Sequence, residues 1–461
     1  MITKFINRDK DIDFLESKYH DHSPQVIILY GRRRVGKSSL IQQFMKNKQS
    51  IYYLASRTVQ DLQISDFIDT IKRELNDEQI SDLRKNWEVI FKYLAVSQDR
   101  IVIAIDEIPY LIESDKALTS TFQRIIDLYI AESNLFLILC GSSIGMMESE
   151  VLGYKSPLYG RRTGQWKLEP MRFKQITEFL PRYSPEELIY AYTACGGIPF
   201  YINKFDDSMD VFENIHGKIL RKGEVLNEEA EFLLKEELRE PKTYFSILRA
   251  ISFGNTKFSG IMNYTGIDKN SLTRYLDILR TLGLVRRDIP VTEKSREKSK
   301  KGLYYIDDNY LNFWFRFIFP YRSELEENPS AVLNTLIKPY YNQFVGHCFE
   351  DISKQFLQDL NAEERLPFEF LRIGRWWHRE KEIDLIALND ETKEILLMEC
   401  KWQELTKNEA LKVLGRLKDK SKYVQWNNIE RTEYSGIIAK KITQKEELRK
   451  SGVIAFDLED F

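Results

Sequence analysis

The stretch that decides the fold runs from Val26 to Leu40 and reads Val-Ile-Ile-Leu-Tyr-Gly-Arg-Arg-Arg-Val-Gly-Lys-Ser-Ser-Leu. An apolar run ends at Gly31, and a helical pattern begins after Gly36. The spacing G-x-x-x-x-G-K-[ST] lets the backbone curl so that successive N–H groups face one anion, with the positive end of the next helix behind them. The stretch therefore predicts a strand, a phosphate-binding loop and a helix.

This loop is expected to bind ATP together with Mg²⁺. The Lys37 ammonium would reach the β and γ phosphates, and the Ser38 hydroxyl would ligate the metal. The residues that the loop offers to the nucleotide are Gly31, Arg32, Arg33, Arg34, Val35, Gly36, Lys37, Ser38 and Ser39.

Length and charge narrow the possible classes of protein. A chain of 461 residues, 43% of them hydrophobic, is too long for one ordinary core and predicts about three domains. The 68 basic residues nearly cancel the 70 acidic ones, so a nucleic acid would have to be held by a local patch. The four cysteines are scattered without a C-x-x-C pair, which favours reduced thiols over zinc or disulfides. With a charged N-terminus and no long apolar run, we expect a soluble, cytoplasmic protein without membrane contact.

A second motif ends an apolar strand with two acids, Ile-Val-Ile-Ala-Ile-Asp106-Glu107. The C-terminal ends of buried parallel strands open on the ligand crevice. This Walker B pattern predicts that Asp106 helps Ser38 to hold the magnesium ion. Glu107 is predicted to orient or deprotonate the attacking water, which adds hydrolysis to binding.

Two further segments offer polar groups for the γ phosphate. The strand from Leu135 to Cys140 is followed by Ser142 and Ser143, either of which is placed to sense that phosphate, unless the loop simply begins with small residues. Arg161 and Arg162 lie in a later loop. One of them is a candidate arginine finger, in cis or across a subunit contact, and the alternative is a plain surface charge.

Six segments taken together resemble a known family: FINRDKDIDFL, GRRRVGKSS, IVIAIDEIPYL, LILCGSSIGMM, SPLYGRRTGQ and CGGIPFYI, in this order. They are similar to the archaeal-type ATPases of the STAND class, within the AAA-like P-loop group. The resemblance implies that Asp106 and Glu107 serve magnesium and water. It also implies that the segment from Gly196 to Pro199 belongs to a helical lid over the nucleotide.

The middle of the chain predicts three short helices, over 244–251, 258–264 and 268–282, and then a hairpin. This order resembles a winged helix-turn-helix, whose third helix enters the DNA major groove. The candidate base readers on that helix are Lys269, Asn270, Thr273 and Arg274. The wing, 292–301, holds five basic and two acidic residues and is a candidate phosphate contact. The alternatives are a solvated loop and a hinge between domains.

The next two segments are predicted to be structural. Trp314, Phe315, Phe317 and Phe319 belong to an aromatic run that we expect to pack rather than to stack on bases. The segment from Glu324 to Ser330, with its proline, is expected to be a linker.

The C-terminal part predicts a helix carrying Glu350 and then a hairpin with a polar turn at 389–394. Glu399 and Lys401 are two residues apart in a strand, so their side chains share a face. If Glu391 lies opposite Thr392, the same register brings Asp384 opposite Glu399. Two acids and a lysine then converge on a position suited to a divalent cation.

This constellation resembles the PD-(D/E)xK nucleases, with Ile383 in place of the eponymous proline. The resemblance implies that Glu350, Asp384, Glu399 and Lys401 are catalytic, with Mg²⁺ or Mn²⁺ held by Asp384 and Glu399. The alternatives are a salt-bridged hairpin and a nuclease fold kept only for binding.

The sequence thus predicts an α/β protein: a P-loop NTPase parallel sheet with a helical lid, a winged helix and a restriction-endonuclease-like α/β domain. The expected boundaries are 1–170 for the ATPase core, 171–240 for the lid, 241–306 for the winged helix, 307–335 for an aromatic linker and 336–461 for the nuclease-like domain. The expected function is an ATPase that gates a metal-dependent endonuclease acting on double-stranded DNA. The alternative is a nucleotide-driven switch that binds DNA, a protein partner or further copies of itself without cutting.

Overall fold

The computed structural model describes residues 5–238, 240–296 and 298–461. It divides into two compact units, unit 1 (Met1–Pro170 and Ile198–Phe200) and unit 2 (Met171–Gly197 and Tyr201–Phe461). Throughout the described ranges, each helix is too short or too polar to cross a membrane.

Unit 1 alternates strands with helices. Its elements are α1 (Asp9–His20), β1 (Gln25–Tyr30), α2 (Lys37–Met45), β2 (Ser50–Leu54), α3 (Gln60–Leu75), α4 (Trp87–Leu94), β3 (Val102–Asp106), α5 (Ile108–Ser114), α6 (Leu118–Ile125), β4 (Phe136–Gly141), α7 (Ile144–Met146) and β5 (Gly164–Lys167). The five strands pair in parallel in the order β2-β3-β4-β1-β5.

The three central strands of this sheet are almost wholly apolar. Every residue of β1, β3 and β4 is buried, as expected for a parallel sheet with both faces covered. The C-terminal ends of these neighbouring strands therefore meet at one edge of the sheet, where the predicted nucleotide residues follow them.

The first part of unit 2 is helical apart from one hairpin. Its elements are α8 (Phe173–Ile176), α9 (Pro185–Cys195), α10 (Pro199–Ile202, whose first two residues belong to unit 1), α11 (Val211–Asn214), α12 (Val225–Glu237), α13 (Pro241–Ser252), α14 (Phe258–Thr265), α15 (Lys269–Thr281), β6 (Val285–Asp288), β7 (Leu303–Ile306), α16 (Asn309–Phe317), α17 (Arg322–Glu327), α18 (Pro329–Val332) and α19 (Lys338–Ala362). The antiparallel pair β6–β7 follows α15, in the order that the sequence predicts.

One prediction for this region is wrong. The segment expected to be a linker, 324–330, lies in the helices α17 and α18. The side chain of Asn328 accepts a hydrogen bond from the backbone of Ala331, so Pro329 begins a helix instead of ending one. Leu325 and Val332 are buried, and their packing favours helical structure over an open connection.

The aromatic run before this segment forms α16. Trp314, Phe315 and Phe317 are buried within unit 2, as the sequence predicts. The Trp314 indole N–H donates to the carbonyl oxygen of Asn227 at 2.8 Å, so its polar atom is satisfied within the core.

A mixed sheet ends the chain. Its elements are β8 (Arg372–His378), β9 (Lys381–Asn389), β10 (Glu394–Leu405), α20 (Lys407–Ser421), β11 (Thr432–Ile442), α21 (Lys445–Lys450) and β12 (Ile454–Phe456). The strand order is β12-β11-β10-β9-β8, with β10–β11 and β11–β12 parallel and the other pairs antiparallel. Asn389 pairs with Glu394 and Leu385 with Met398, which is the predicted hairpin register.

Candidate active sites

The phosphate-binding loop closes on the side chain of Lys37, the first residue of α2. Gly36 precedes it with a φ of 103°, a left-handed conformation that favours glycine. The Lys37 ammonium donates to the carbonyl oxygens of Gly31 and Arg32, both at 3.0 Å. The lysine side chain thus folds back over the loop, with its positive charge inside the curl of the backbone.

The end of β3 lies against the start of α2. The Ser38 hydroxyl donates to Asp106 Oδ2 at 2.6 Å, and Asp106 is buried. A second hydroxyl, from Tyr52 on β2, donates to the same oxygen at 2.7 Å. Burial raises the pKa of Tyr52 and the charge of Asp106 raises it further, so the phenol remains a hydrogen-bond donor. Sequence reasoning missed Tyr52.

Glu107, next in the chain, is held by the loop after β4. Its Oε2 accepts hydrogen bonds from the Ser142 backbone N–H at 3.1 Å and from the Ser142 hydroxyl at 2.8 Å. Glu107 has a φ of 60°, unusual for a residue with a side chain and frequent at functional sites. Of the two serines considered, Ser142 is the one that contacts the predicted water-orienting residue.

The structure separates the two candidate finger arginines. Arg161 Nε lies 2.8 Å and 3.0 Å from the two carboxylate oxygens of Asp127, and this pairing raises the Arg161 pKa. Arg162 instead lies over the ring of Tyr159, 5.7 Å from its centroid. It is also close enough to Tyr30, the residue before Gly31, to offset part of the rise that burial causes in the Tyr30 pKa. Of the two arginines, Arg161 is therefore the one whose guanidinium is held by a carboxylate.

Sequence reasoning also missed the role of Arg8. This buried side chain donates to the carbonyl oxygen of Val35 in the loop at 2.8 Å and to that of Glu169 at 2.9 Å. Arg8 precedes α1 and carries no local signal for either contact. Arg33 and Ser39 of the loop are exposed.

A second constellation forms where β9 and β10 pair. The Lys401 ammonium lies 2.9 Å from Asp384 Oδ2 and 2.6 Å from Glu399 Oε2. The Cys400 backbone N–H donates to the same Asp384 oxygen at 2.8 Å. The side chains of Asp384 and Glu399 are only 8% and 4% exposed, so two buried carboxylates converge on one cation. Burial lowers the Lys401 pKa, but these carboxylates outweigh it and raise the pKa above its ordinary value.

Two neighbours complete this site. Lys420, from α20, donates to Glu399 Oε1 at 2.6 Å, and its place in the site was not anticipated. Glu350, from α19, forms an ion pair with Arg375 of β8 at 3.0 Å. Burial raises the pKa of Glu350, and the negative charge of Asp384 raises it further. Glu350, predicted to be a catalytic acid, is therefore engaged by Arg375 and not by Asp384, Glu399 or Lys401.

The chemistry of these donors suits a divalent cation, because buried carboxylates from two strands meet at the Lys401 ammonium. Within the described part of the chain, however, no three His, Cys, Asp or Glu side chains are close enough to hold a metal ion. The residues thus supply two carboxylates, and Glu350 would have to leave Arg375 to become a third.

The four cysteines of the chain are Cys140, Cys195, Cys348 and Cys400. All are free and buried. Burial raises the pKa of each thiol, for Cys348 to about 12.

Two family models match different parts of the chain. Residues 5–205 match the model of an ATPase domain found predominantly in Archaea. Residues 314–413 match a family of archaeal and bacterial proteins of unknown function.

Among individual proteins, the chain is 41% identical over 459 residues to MJECL04 of Methanocaldococcus jannaschii, covering 99% of this chain and 100% of that protein. It is 50% identical over 48 residues to the ATP-binding protein MJ0423 of the same organism, covering 10% of this chain and 81% of that protein. The Walker-type ATPase PABY2304 of Pyrococcus abyssi has a similar fold, with a TM-score of 0.51 at 24% identity over 68% of this chain and 96% of that one.

Proposed function

The chain belongs to the same family as the M. jannaschii protein MJECL04, and its residues 5–205 match an archaeal ATPase domain. On that premise we propose the roles of the residues in unit 1. Lys37 binds the β and γ phosphates of ATP, and Ser38 with Asp106 holds the magnesium ion. Glu107 accepts the proton of the attacking water, Ser142 orients Glu107, and Arg162 approaches the γ phosphate. The contact of 2.6 Å between Ser38 and Asp106 carries this proposal, because it joins the two motifs that must share one metal.

Two substitutions test the assignment. Lys37→Ala removes the charge that meets the phosphates and should abolish ATP binding. Glu107→Gln keeps the side-chain shape and should leave binding intact while stopping turnover. Binding is measured with a fluorescent ATP analogue, and turnover by phosphate release. A Glu107→Gln protein that hydrolyses ATP at the wild-type rate would contradict the role of Glu107.

A second function, metal-dependent cleavage of a phosphodiester, is favoured by the convergence of Asp384 and Glu399 on Lys401. Asp384 and Glu399 would hold Mg²⁺ or Mn²⁺, which polarises the phosphate when bound. Lys401, released from the carboxylates, would assist the attacking water and stabilise the charge that develops on the phosphate. Glu350 would join the site after separating from Arg375. This is the nuclease-like domain that we propose for 336–461.

Cleavage is tested with plasmid DNA and Mg²⁺ or Mn²⁺, with and without ATP. Asp384→Ala should lose metal binding and cleavage together, whereas Lys401→Ala should keep the metal and lose cleavage. Because neither residue belongs to unit 1, ATP hydrolysis should survive both changes. A wild-type protein inert on duplex, single-stranded and branched DNA and on RNA would favour the alternative, a nucleotide-driven switch that binds DNA, a protein partner or its own copies.

We also propose that α13 to α15 with β6 and β7 form a winged helix (241–306), after a lid over 171–240. Lys269, Asn270, Thr273 and Arg274 are exposed on α15 and open to duplex DNA. The alternative role for the winged helix, a hinge between domains, is supported by a backbone contact with the C-terminal sheet. The backbone N–H of Val291, in the loop after β6, donates to the carbonyl oxygen of Arg375 on β8 at 3.0 Å.

A further inference from the structure

Helix α20 carries a row of cations that ends at the C-terminal site. Lys412, Arg416 and Lys420 follow each other at intervals of four residues, so they lie along one side of the helix. Successive members are about 6 Å apart along the helix axis. The Lys420 ammonium contacts Glu399 Oε1 at 2.6 Å. The other side of the helix is buried and carries Ala410, Val413, Leu414 and Leu417. Packing therefore holds the row in a fixed position.

Each of the two acids of α20 is bound to a residue outside this row. Glu409 is engaged by the N-cap residue of the helix, and Asp419 pairs with Lys422 at 2.8 Å. In the parts of the chain that the structure describes, no carboxylate forms an ion pair with Lys412 or Arg416, and both are exposed. Two positive charges thus face water about one and two helical turns along α20 from Lys420, which contacts Glu399.

The wing (292–301) is another basic segment of unit 2. Val291 is fully buried at its start, and the side chain of Arg372 donates to the Val291 carbonyl oxygen at 3.0 Å. The backbone there is therefore tied to β8. One of its cations, Lys301, is paired with Glu293.

We propose that Lys412 and Arg416 bind successive phosphates of a nucleic-acid strand and lead it to Asp384, Glu399 and Lys401. Ammonium and guanidinium groups spaced along a groove or helix bind the phosphate backbone without reading its sequence. The inference rests on the nuclease-like function proposed above for this site. Binding of the strand itself requires neither metal nor cleavage.

The test uses the full chain in EDTA with a fluorescein-labelled 30-nucleotide DNA strand and its duplex. Lys412→Gln/Arg416→Gln removes two charges from α20, and the control variant, Arg84→Gln/Lys85→Gln, removes the same two charge types from exposed positions just before α4. At 0.15 M salt we expect the α20 variant to bind the single strand about tenfold more weakly, with a salt slope smaller by about 1.4, or about 0.7 per lost phosphate contact. The control variant should bind like wild type. A urea denaturation curve that matches wild type shows that the α20 variant is folded.

Three outcomes would overturn the inference: wild-type protein that binds neither probe at 50 mM salt, equal losses in the two variants, or loss in the control variant alone. Wild-type protein that binds phosphatidylserine vesicles through α20 but no nucleic acid would overturn it as well. Strand binding through α20 without cleavage under any metal condition would support the inference and remove the proposed nuclease function. The failures of the two proposals are therefore distinguishable.

Discussion

At the residue scale, the role of Tyr52 on β2 comes from its contact with Asp106 at the end of the neighbouring strand β3. Its hydroxyl and that of Ser38 donate to the same oxygen of Asp106, which orients the carboxylate. We expect Tyr52→Phe to reduce ATP turnover several-fold and to raise the Mg²⁺ concentration that half-maximal turnover requires, because Asp106 loses one of its two hydroxyl donors. The loss of one hydrogen bond should destabilise the fold by only about 1 kcal/mol.

The neighbouring Tyr53 provides the control for Tyr52→Phe. Its hydroxyl donates to the carbonyl oxygen of Gln63 at 3.0 Å. Tyr53→Phe should have a similar cost in stability, measured by urea denaturation, with unchanged turnover. Equal losses of turnover in the two variants would show that Tyr52 has no special role at Asp106.

At the scale of elements, the end of α9 depends on a close approach of two backbones. Gly196 follows the helix with a φ of 66°, and a Cβ on Gly197 would lie 2.0 Å from the carbonyl oxygen of Met171. Gly197→Ala should therefore force the backbone apart and destabilise unit 2 by about 1–3 kcal/mol. Gly346, inside α19, has open space at its Cβ position, so Gly346→Ala should stabilise the protein by about 0.5–1 kcal/mol. Denaturant melts of the two variants that shifted in the same direction would contradict this account.

The hairpin β6–β7 is joined to α19 by Arg286. Its guanidinium lies 2.7 Å from Asp351 on α19 and 3.2 Å from Asp307. Burial lowers the Arg286 pKa, but the surrounding carboxylates outweigh it and raise the pKa above its ordinary value. Arg286→Met leaves these acids without their cation and should lower the free energy of unfolding by about 3 kcal/mol. This is near the lower end for a buried ion pair because the Arg286 side chain is 26% exposed.

The control for Arg286→Met is Arg280→Met. Arg280 pairs with Asp277 at 3.1 Å on the surface of α15, and both side chains are largely exposed. Its loss should cost less than about 1 kcal/mol. Urea denaturation that gave the same cost for both variants would mean that Arg286 does not join the hairpin to α19.

At the scale of the whole molecule, the question is whether ATP controls the C-terminal site. The two sites lie in different units. If ATP binding permits cleavage, Glu107→Gln with ATP should cut plasmid at the wild-type rate or faster, because it retains ATP. Lys37→Ala should cut at the nucleotide-free rate under all conditions. Equal cleavage by wild type and both variants, with or without ATP, would show that the sites work independently.

Much of this architecture was predictable because its signals are local. The spacing from Gly31 to Ser38 specifies a curled backbone, and an apolar strand ending in Asp106 specifies a carboxylate at a sheet edge. The register of β9 and β10 followed from the position of their turn alone. The supposed linker at 324–330 was wrong because proline serves equally well at the first turn of a helix, and only burial of Leu325 and Val332 distinguishes the two.

The sequence by itself determined the loop after β1, the acids at the end of β3 and the register of β9 with β10, since loop spacing and strand alternation are properties of neighbouring residues. Only the tertiary structure decided which groups touch. The contacts Tyr52–Asp106, Arg8–Val35 and Lys420–Glu399 join segments 54, 27 and 21 residues apart. Such contacts depend on strand order and helix docking, which arise when the whole core buries its apolar surface. For the same reason the pairing of Arg161 with Asp127 separated two adjacent arginines that the sequence could not distinguish.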